Sequence, residues 1–300
     1  MYNGIVLSGG GIKGYMQLGA LSYHLPKLKS KPLIYAGTSI GSAICFLLAL
    51  GHDPHAILKY LHEYPINFET RLTDIWTSVN KSMGLLDISI LRKHISDFCI
   101  KHHGRDTFTF ADIHNQYGVH LCIVATNLTH GSQTVYSYTS SPLMNVIDAV
   151  VQSCGIPFVF KQILDEQTGC WMADGALVNN YPWSVIYPDI SACNACCHTK
   201  INLLGMLTHD IRTPKYPGYD AITLETYIKT CLQIALDHTG YKNDSCSSPD
   251  LELDTLHLYI HEDKTPSMLT SDMHGTEILY QIGRVQAMAR DNGITSTWIQ

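Results

Sequence analysis

A serine between two glycines is the clearest chemical signal in this sequence. Residues 37–41 read GTSIG, and Ser39 stands between a predicted strand and a predicted helix. Gly37 and Gly41 allow a sharp strand-to-helix turn that exposes the serine hydroxyl. A hydroxyl presented in this way is the nucleophile of many acyl-transfer enzymes. Ser39 is therefore the candidate nucleophile, although the same spacing also arises in ordinary turns.

A serine hydroxyl needs a base to accept its proton, and two types of base are available. Asp174 follows a short predicted strand directly, with Gly175 after it. A carboxylate at the carboxyl end of a strand points into the crevice where open α/β sheets bind ligands. Sixteen histidines are also present, so a histidine base stays open at this point. In a Ser-His-Asp esterase with the chain order Ser, Asp, His, the base would be a histidine after Asp174, such as His198, His209, His238 or His257.

A glycine-rich loop near the start of the chain, residues 8–14 (SGGGIKG), contains the GxGxxG spacing of a dinucleotide-binding loop. Such a site also needs an acidic residue about 20 positions later to bind the ribose, and no acidic residue precedes Asp53. A phosphate-binding P-loop is excluded because Gly14 is followed by Tyr15. The loop therefore offers backbone N–H groups at a helix N-terminus, which stabilise negative charge. In acyl transfer that charge is an oxyanion.

The elements that must position these residues alternate between strand and helix, which favours a mostly parallel sheet covered on both faces. The fold class is therefore α/β. Apolar runs predict strands at residues 4–7, 33–36, 119–125, 133–138, 170–173 and 201–206, the last clear strand. Helical spacing predicts helices at residues 15–28 (ending at 24 or 25 because of Pro26), 40–50, 88–98, 142–153, 221–236 and 277–290, with a loop at 242–249.

Composition and charge restrict the possible partners. The chain has 300 residues, 45% of them apolar and 15% charged, and a formal net charge of −6. A nucleic-acid partner therefore receives no electrostatic support, and none is expected. The first 52 residues carry four lysines and no acidic residue. This local excess of positive charge favours anionic lipid surfaces.

The sequence also predicts a compartment. The N-terminal residues lack the pattern of a signal peptide, and no apolar run is long enough to span a bilayer. We therefore expect a cytoplasmic protein that contacts membranes only peripherally, with its ten cysteines kept as thiols. One group of possible zinc ligands is Cys193, Cys196, Cys197 and His198. Three of the four are consecutive and no second CxxC follows, so a surface loop is expected there instead.

Three motifs, in order, resemble the signatures of patatin-like phospholipases. They are residues 9–14 (GGGIKG), 37–41 (GTSIG) and 174–176 (DGA). Ala176 stands where plant members have a third glycine, a change that leaves the aspartate in place. Lesser matches lie at residues 84–87 (GLLD), 109–112 (TFAD), 125–129 (ATNLT) and 153–157 (SCGIP). The resemblance covers about residues 4–206; each motif alone is weak, whereas three in order with the family spacing are strong.

The resemblance implies a three-layer α/β/α fold and a Ser-Asp dyad without histidine. Ser39 would attack the ester, and Asp174 would take its proton and later activate water. The N–H groups of Gly10 and Gly11 would hold the oxyanion, and nucleophile-elbow geometry adds that of Ile40. Residues that support these motifs are Gly9, Lys13, Gly14, Gly37, Gly41 and Gly175. Lys13 is either a solvated cation beside the loop or a catalytic group.

The resemblance further implies hydrolysis of phospholipid or lysophospholipid esters without calcium, with no cofactor and no metal. The substrate would be reached by peripheral contact with a membrane or micelle surface. Residues 1–206 would form the catalytic core, and residues 207–300 a C-terminal helical extension packed on the same domain. Candidates for lining the acyl site are Tyr15, Phe158, Phe160 and Tyr181.

Two alternatives to this function stay open. The first is a Ser-His-Asp esterase that uses one of the later histidines. Against it, the serine follows the second strand, earlier than in the usual α/β-hydrolase, and no HGGG-type loop is present. The second is a catalytically inactive lipid-binding scaffold, which is disfavoured because all three motifs are intact.

Overall fold

A mostly parallel sheet is the centre of the fold, here described from a computed structural model that covers residues 2–66, 83–192, 200–211, 250–261 and 273–294. Within these residues the strands are β1 (Gly4–Leu7), β2 (Ile34–Thr38), β3 (Gly84–Leu86), β4 (His120–Asn127), β5 (Ser132–Tyr136), β6 (Phe158–Phe160), β7 (Ile163–Asp165), β8 (Cys170–Asp174), β9 (Ile201–Ile211) and β10 (Leu251–His261). The main sheet has the order β10-β9-β1-β2-β4-β8-β7, with β5 also paired to β4, and β3 pairs with β6 separately.

The direction of pairing changes at β4. From β10 through β9, β1 and β2 to β4 every pair is parallel, whereas β5, β7 and β8 form antiparallel pairs. The strand β1 is buried along its whole length, as expected for parallel strands that are covered on both faces. The predicted α/β class with a mostly parallel sheet is confirmed.

Helices cover the two faces of this sheet. They are α1 (Gly14–His24), α2 (Ile40–Ala49), α3 (Pro54–Glu63), α4 (Ser89–His103), α5 (Phe110–Tyr117), α6 (Val146–Ser153), α7 (Ala176–Asn179), α8 (Ile186–Ala192) and α9 (Met273–Asp291). Alternate residues of β1 belong to two different apolar clusters: Ile5 and Leu7 pack with α1 and α2, and Val6 packs with Ile186 of α8. Because side chains alternate across a strand, the clusters lie on opposite faces. The predicted three-layer α/β/α arrangement is confirmed.

The region after residue 206 contains an element that the sequence analysis missed. Residues 251–261 form β10, which pairs with β9 over its full length at the edge of the sheet. Buried and more exposed positions mix along it, as expected at an edge, so it lacks the continuous apolar run by which the other strands were predicted. The prediction of a helical extension after the last clear strand, residues 201–206, is therefore wrong for residues 251–261. The division of the chain at residue 206 stays a prediction.

The helix α9 packs against α1 through backbone contact. A Cβ atom added to Gly19 would lie 1.9 Å from the carbonyl oxygen of Tyr280, and one added to Gly283 would lie 2.0 Å from that of Met16. Both glycines are therefore required for the close approach of the two helices. The predicted helix at residues 221–236 and the predicted loop at 242–249 lie outside the described residues.

Two of the predicted helix boundaries depend on a proline or on a capping side chain. The helix α1 ends at His24, as predicted, and a single turn of 3-10 helix that contains Pro26 follows. The helix α6 begins at Val146 instead of residue 142, because the Asn145 side chain accepts a hydrogen bond from the N–H of Ile147 at 3.0 Å. A side-chain acceptor at this position starts a helix more effectively than an upstream proline.

Candidate active site

The strand β4 brings the ends of β2 and β8 together. The strand β2 runs parallel to β4 and ends with Thr38 beside Val124. The strand β8 runs antiparallel to β4 and ends with Asp174 beside Ala125. Both use the same edge of β4, since β5 occupies the other edge over this length. Two strands that approach each other head to head thus place Ser39, the residue after Thr38, next to Asp174.

Ser39 occupies the sharp turn that the GxSxG spacing predicts. Its backbone has φ 53° and ψ −130° at the N-terminus of α2, and positive φ is rare for residues other than glycine. A Cβ atom on Gly37 would lie 2.5 Å from the carbonyl oxygen of Gly41, and one on Gly41 would lie 2.6 Å from that of Leu7. The turn therefore has no room for a side chain at either glycine.

The candidate nucleophile and base are in direct contact. Ser39 Oγ donates a hydrogen bond to Asp174 Oδ2 at 2.6 Å, and Asp174 Oδ1 accepts one from the N–H of Ala176 at 2.9 Å. Ser39 is 5% exposed and Asp174 3%, so the expected exposure of the serine hydroxyl is wrong and the pair is buried. Burial raises the pKa of Asp174 to about 6, and the hydrogen bonds from Ser39 and Ala176 limit this rise. A carboxylate with a raised pKa accepts a proton more readily and is still ionised at neutral pH.

A second serine holds the backbone of the nucleophile. Ser153 Oγ accepts a hydrogen bond from the N–H of Ser39 at 2.8 Å and donates one to the carbonyl oxygen of Val124 at 2.6 Å. Ser153 is fully buried at the C-terminal end of α6. Because Ser39 has a strained backbone, a fixed acceptor for its N–H stabilises the turn that aims the hydroxyl.

The same segment holds the backbone of the candidate base. The N–H of Asp174 donates to the carbonyl oxygen of Gly155 at 2.9 Å, and the N–H of Gly175 donates to that of Ser153 at 3.2 Å. The end of α6 thus orients nucleophile and base together. From the sequence, residues 153–157 were only a lesser motif match, with no role predicted for Ser153.

Replacing Ser153 with alanine is expected to lower kcat about 10- to 100-fold with little change in KM. The substitution leaves the buried N–H of Ser39 without its acceptor, a loss of about 1–3 kcal/mol, and each 1.4 kcal/mol is a factor of ten in rate. Steady-state kinetics on a soluble ester, with the rate of fluorophosphonate labelling of Ser39, measure the effect.

Ser96→Ala is the matched control, because Ser96 is also a buried helical serine and its Oγ has no hydrogen-bond partner among the described residues. Its kcat and labelling rate should equal those of the wild type. If Ser153→Ala lowers only the melting temperature and leaves kcat and labelling unchanged, Ser153 does not position the nucleophile.

The glycine loop packs directly against this turn. A Cβ atom on Gly9 would lie 3.2 Å from Ser39 Cβ, and one on Gly14 would lie 2.7 Å from Ile40 Cγ1. At Gly10 it would lie 2.5 Å from Thr208 Oγ1, the hydroxyl that donates to the carbonyl oxygen of Gly9 at 3.1 Å. The loop is therefore fixed between α2 and β9, where glycine alone fits.

Three backbone N–H groups beside Ser39 remain available to a ligand. In the part of the chain that the structure describes, the amides of Gly10, Gly11 and Ile40 donate to no protein acceptor. Gly11 begins a single turn of 3-10 helix and Ile40 begins α2. Amides at helix N-termini point outward and favour negative charge. They are the candidate oxyanion donors.

Lys13 is not the solvated cation that was one of its two predicted roles. It is 8% exposed, and its Nζ lies 2.6 Å from Asp210 Oδ2, near the end of β9. The expectation of a solvated cation is wrong, because the lysine is buried in an ion pair. Its contact ties the glycine loop to β9.

The structure also places two of the four candidate histidine bases. His209 on β9 and His257 on β10 contact each other, with Nε2 of the first 2.8 Å from Nδ1 of the second. Both oxygens of Asp174 are engaged by Ser39 and Ala176. Among the described residues, no histidine stands between Ser39 and Asp174. His198 and His238, like the possible zinc ligands at residues 193–198, lie outside the described residues.

The four aromatic residues proposed for the acyl site have different environments. Tyr181 is fully buried with Ile186 in the cluster on the far face of the sheet from α2, and its hydroxyl lies 2.9 Å from Thr255 Oγ1. Phe160 is a core residue on the near face. Phe158 is 45% exposed and Tyr15 is partly buried. Tyr181 is therefore a core residue, and its proposed role in the acyl site is wrong.

Features that bear on membrane contact are fewer than the sequence suggested. Of the early lysines, Lys13 is paired with Asp210, and Lys27 is paired with Asp291 at 3.0 Å. Among the described residues, no single helix has the length and apolar character to cross a membrane; α2 and α3 meet that test only as a pair bent by 117°. Attraction to anionic lipid surfaces stays a prediction that rests on fewer charges.

Comparisons with known proteins cover both Ser39 and Asp174. A family model described as "Patatin-like phospholipase" matches residues 5–187. "Probable lipid hydrolase 463L" of Invertebrate iridescent virus 6 is 30% identical over 183 residues, which are 60% of this chain and 62% of that protein, so the match spans less than two thirds of the relative. An uncharacterized protein of Acanthamoeba polyphaga mimivirus is 26% identical over 284 residues, 93% of this chain and 90% of that protein.

One solved structure shows the same fold. The crystal structure of VipD from Legionella pneumophila superimposes with a TM-score of 0.52 and 15% sequence identity, covering 97% of this chain and 67% of that chain. At this identity the likeness concerns the fold alone.

Proposed function

This chain belongs to the patatin-like phospholipase family, a family of hydrolases, and from that premise we propose that it hydrolyses carboxylic ester bonds of phospholipids or lysophospholipids through Ser39 and Asp174. The observation that carries the proposal is the 2.6 Å hydrogen bond from the Ser39 hydroxyl to the buried Asp174 carboxylate. The available amides of Gly10, Gly11 and Ile40 support it, since acyl transfer needs donors for an oxyanion.

In the first half of the reaction, Ser39 Oγ attacks the ester carbonyl carbon while its proton passes to Asp174. The carbonyl oxygen becomes an oxyanion that accepts hydrogen bonds from the amides of the glycine loop and of Ile40. The tetrahedral intermediate then collapses. The alcohol part of the lipid leaves with the proton from Asp174, and the acyl group remains bonded to Ser39.

In the second half, a water molecule takes the place of the alcohol. Asp174 accepts a proton from this water, whose oxygen attacks the acyl carbon. The second tetrahedral intermediate uses the same amides and releases the fatty acid, and Ser39 recovers its proton. One base therefore serves both halves, which agrees with a raised pKa of Asp174 near 6.

We further propose that the reaction needs no calcium ion. Both oxygens of Asp174 are engaged, one with the Ser39 hydroxyl and one with the N–H of Ala176. This arrangement suits a base better than a metal ligand. Peripheral contact of a cytoplasmic protein with a membrane or micelle surface would then be sufficient to reach the substrate.

Mass spectrometry of products from defined lipids tests the proposal. Vesicles of a phosphatidylcholine with different acyl chains at its two positions, and micelles of lysophosphatidylcholine, are incubated with the wild type or with Ser39→Ala. We expect the wild type to release free fatty acid from at least one of these lipids. The lipid product that has lost one acyl chain should appear in an equal amount, and the calcium chelator EGTA should not change the yield. The identity of the released chain also gives the positional preference.

Three results would contradict the proposal. Equal fatty-acid release by wild type and Ser39→Ala would exclude Ser39 as the nucleophile. No release from any lipid, together with no fluorophosphonate labelling of Ser39, would favour the inactive lipid-binding scaffold. Activity lost on replacing His209 or His257 singly with alanine, in a folded protein, would instead favour the Ser-His-Asp esterase.

A further inference from the structure

Three metal-ligating side chains meet inside the protein, away from the catalytic pair. His120 Nε2, Cys122 Sγ and an oxygen of the Asp189 carboxylate all lie within 4.8 Å of one another. Asp189 Oδ2 is 2.6 Å from His120 Nε2 and accepts a hydrogen bond from the Cys122 thiol at 3.5 Å. The two strand residues are buried, 3% and 0% exposed. The proposed hydrolysis uses none of these groups.

Strand β4 and helix α8 bring these three side chains together. His120 and Cys122 are two residues apart on β4, so their side chains lie on the same face of the sheet, the face covered by α8. Asp189 belongs to α8. Its second carboxylate oxygen, Oδ1, accepts a hydrogen bond from Ser137 Oγ at 2.8 Å. That bond turns Oδ2 toward His120 and Cys122, as hydrogen bonds to the outer oxygen of a ligating carboxylate commonly do.

We propose that His120, Cys122 and Asp189 form a binding site for a zinc ion. An imidazole nitrogen, a thiolate and a carboxylate oxygen are the three ligand types that zinc takes in proteins, at about 2.0–2.3 Å from the ion. Ligand atoms around a tetrahedral ion are then about 3–4 Å apart. The separations observed here, from 2.6 Å to at most 4.8 Å, reach that arrangement with small side-chain movements.

Binding of the ion displaces protons on two of the three side chains. The Cys122 thiol loses its proton to solvent and binds as a thiolate. His120 binds through Nε2, so the proton that Nε2 donates to Asp189 Oδ2 in the metal-free protein moves to Nδ1, which is buried and has no hydrogen-bond partner among the described residues. Binding at Nε2 therefore breaks no existing contact of Nδ1. Asp189 exchanges its contacts with the histidine and the thiol for one bond to the ion, and a water molecule completes the tetrahedron.

The location indicates a structural role for the ion. His120 is five residues along β4 from Ala125, the partner of Asp174, which is about 16 Å at 3.3 Å per residue. An ion at this distance would join α8 to the centre of the sheet and would not touch the reacting atoms. The site is therefore independent of the proposed lipid hydrolysis, and either can fail without the other.

Cobalt(II) substitution tests the site, because cobalt bound by a thiolate absorbs light in the near ultraviolet by charge transfer. Full-length protein is freed of metal with a chelator and titrated with Co²⁺, in a background where Cys193, Cys196 and Cys197 are replaced by serine to remove competing thiols. We expect one Co²⁺ per chain, a thiolate charge-transfer band, and loss of that band when Zn²⁺ is added.

The variants assign the ligands. Cys122→Ser should abolish the band, whereas Cys99→Ser, which removes another buried cysteine, should leave it unchanged. Ser137→Ala keeps all three ligands and should weaken Zn²⁺ binding about 10- to 100-fold. Zn²⁺ should also raise the melting temperature of the parent protein, which needs no variant at the site to fold.

Several outcomes would overturn the proposal. They are the absence of a charge-transfer band in the serine background, a band of equal strength in folded Cys122→Ser, and a melting temperature that Zn²⁺ does not raise. In those cases the three residues form a hydrogen-bond network that ties α8 to β4 without an ion.

Discussion

Replacing Ser39 with alanine is expected to lower kcat for ester hydrolysis by at least about 10⁴-fold, the scale seen when the nucleophile of a serine hydrolase is removed. The hydroxyl of Ser39 is the group that donates to Asp174 at 2.6 Å, so its loss removes both the attacking atom and the proton that the base accepts. The amides of the glycine loop remain and account for the residual rate.

Two measurements on the same protein samples check this result. Steady-state hydrolysis of a short-chain ester gives kcat, and intact-protein mass spectrometry after treatment with a fluorophosphonate shows whether one adduct forms. Wild type should gain one adduct, Ser39→Ala none, and the control Ser96→Ala one. An adduct on Ser39→Ala at the wild-type rate would place the reactive serine elsewhere.

The main features of the site could be predicted because they depend on local sequence. The sharp turn at Ser39 needs small residues at Gly37 and Gly41, where a Cβ atom would collide with backbone atoms. This requirement leaves a visible pattern of glycines. The sheet was also predictable, since strands such as β1 are buried along their whole length and read as continuous apolar runs.

The remaining features depend on contacts between distant parts of the chain. Lys13 pairs with Asp210, 197 residues later, and Ser153 bonds the Ser39 amide across 114 residues. Neither partner could be predicted from the residue type, because a lysine after glycines and a serine at a helix end are common in any protein. The edge strand β10 was not predicted for a different reason, since exposed positions interrupt its apolar pattern.

The shared edge of β4 explains why the contact between Ser39 and Asp174 could not be derived from spacing alone. Ser39 and Asp174 are 135 residues apart, and they meet because β2 and β8 run toward each other along that edge. The direction of β8 is not encoded in its five residues. It follows from the antiparallel strands β7 and β8, whose short connection turns the chain back.

Replacing Asp174 with asparagine is expected to lower kcat/KM by about 10³-fold or more, because the amide cannot accept the proton of Ser39. In the wild type the same group sets the pH dependence. Burial raises the pKa of Asp174 to about 6, so the base is ionised above pH 6. Below it, kcat/KM should fall about tenfold for each pH unit. A pH–rate profile from 4.5 to 8 measures this limb.

The same variant should gain stability relative to the wild type as the pH rises. The pKa of Asp174 is higher in the folded protein, about 6, than its ordinary value of 3.8. The folded state therefore favours the protonated carboxyl, and the stabilisation present below about pH 4 is lost as the pH rises through 6. A pKa raised from 3.8 to about 6 corresponds to about 3 kcal/mol. Asparagine carries no charge at any of these pH values and avoids this loss.

Chemical denaturation of wild type and Asp174→Asn at pH 4.5 and pH 8 checks this expectation. The free energy of unfolding of Asp174→Asn minus that of wild type should increase between the two pH values by about 2 kcal/mol, because the unfolded state has already lost most of this proton at pH 4.5. All other titrating groups are common to both proteins, and Asp97→Asn, at an exposed position on α4, should show no such increase. A difference that is independent of pH would mean that Asp174 titrates near its ordinary pKa, and the proposed base would then be too weak to serve both halves of the reaction.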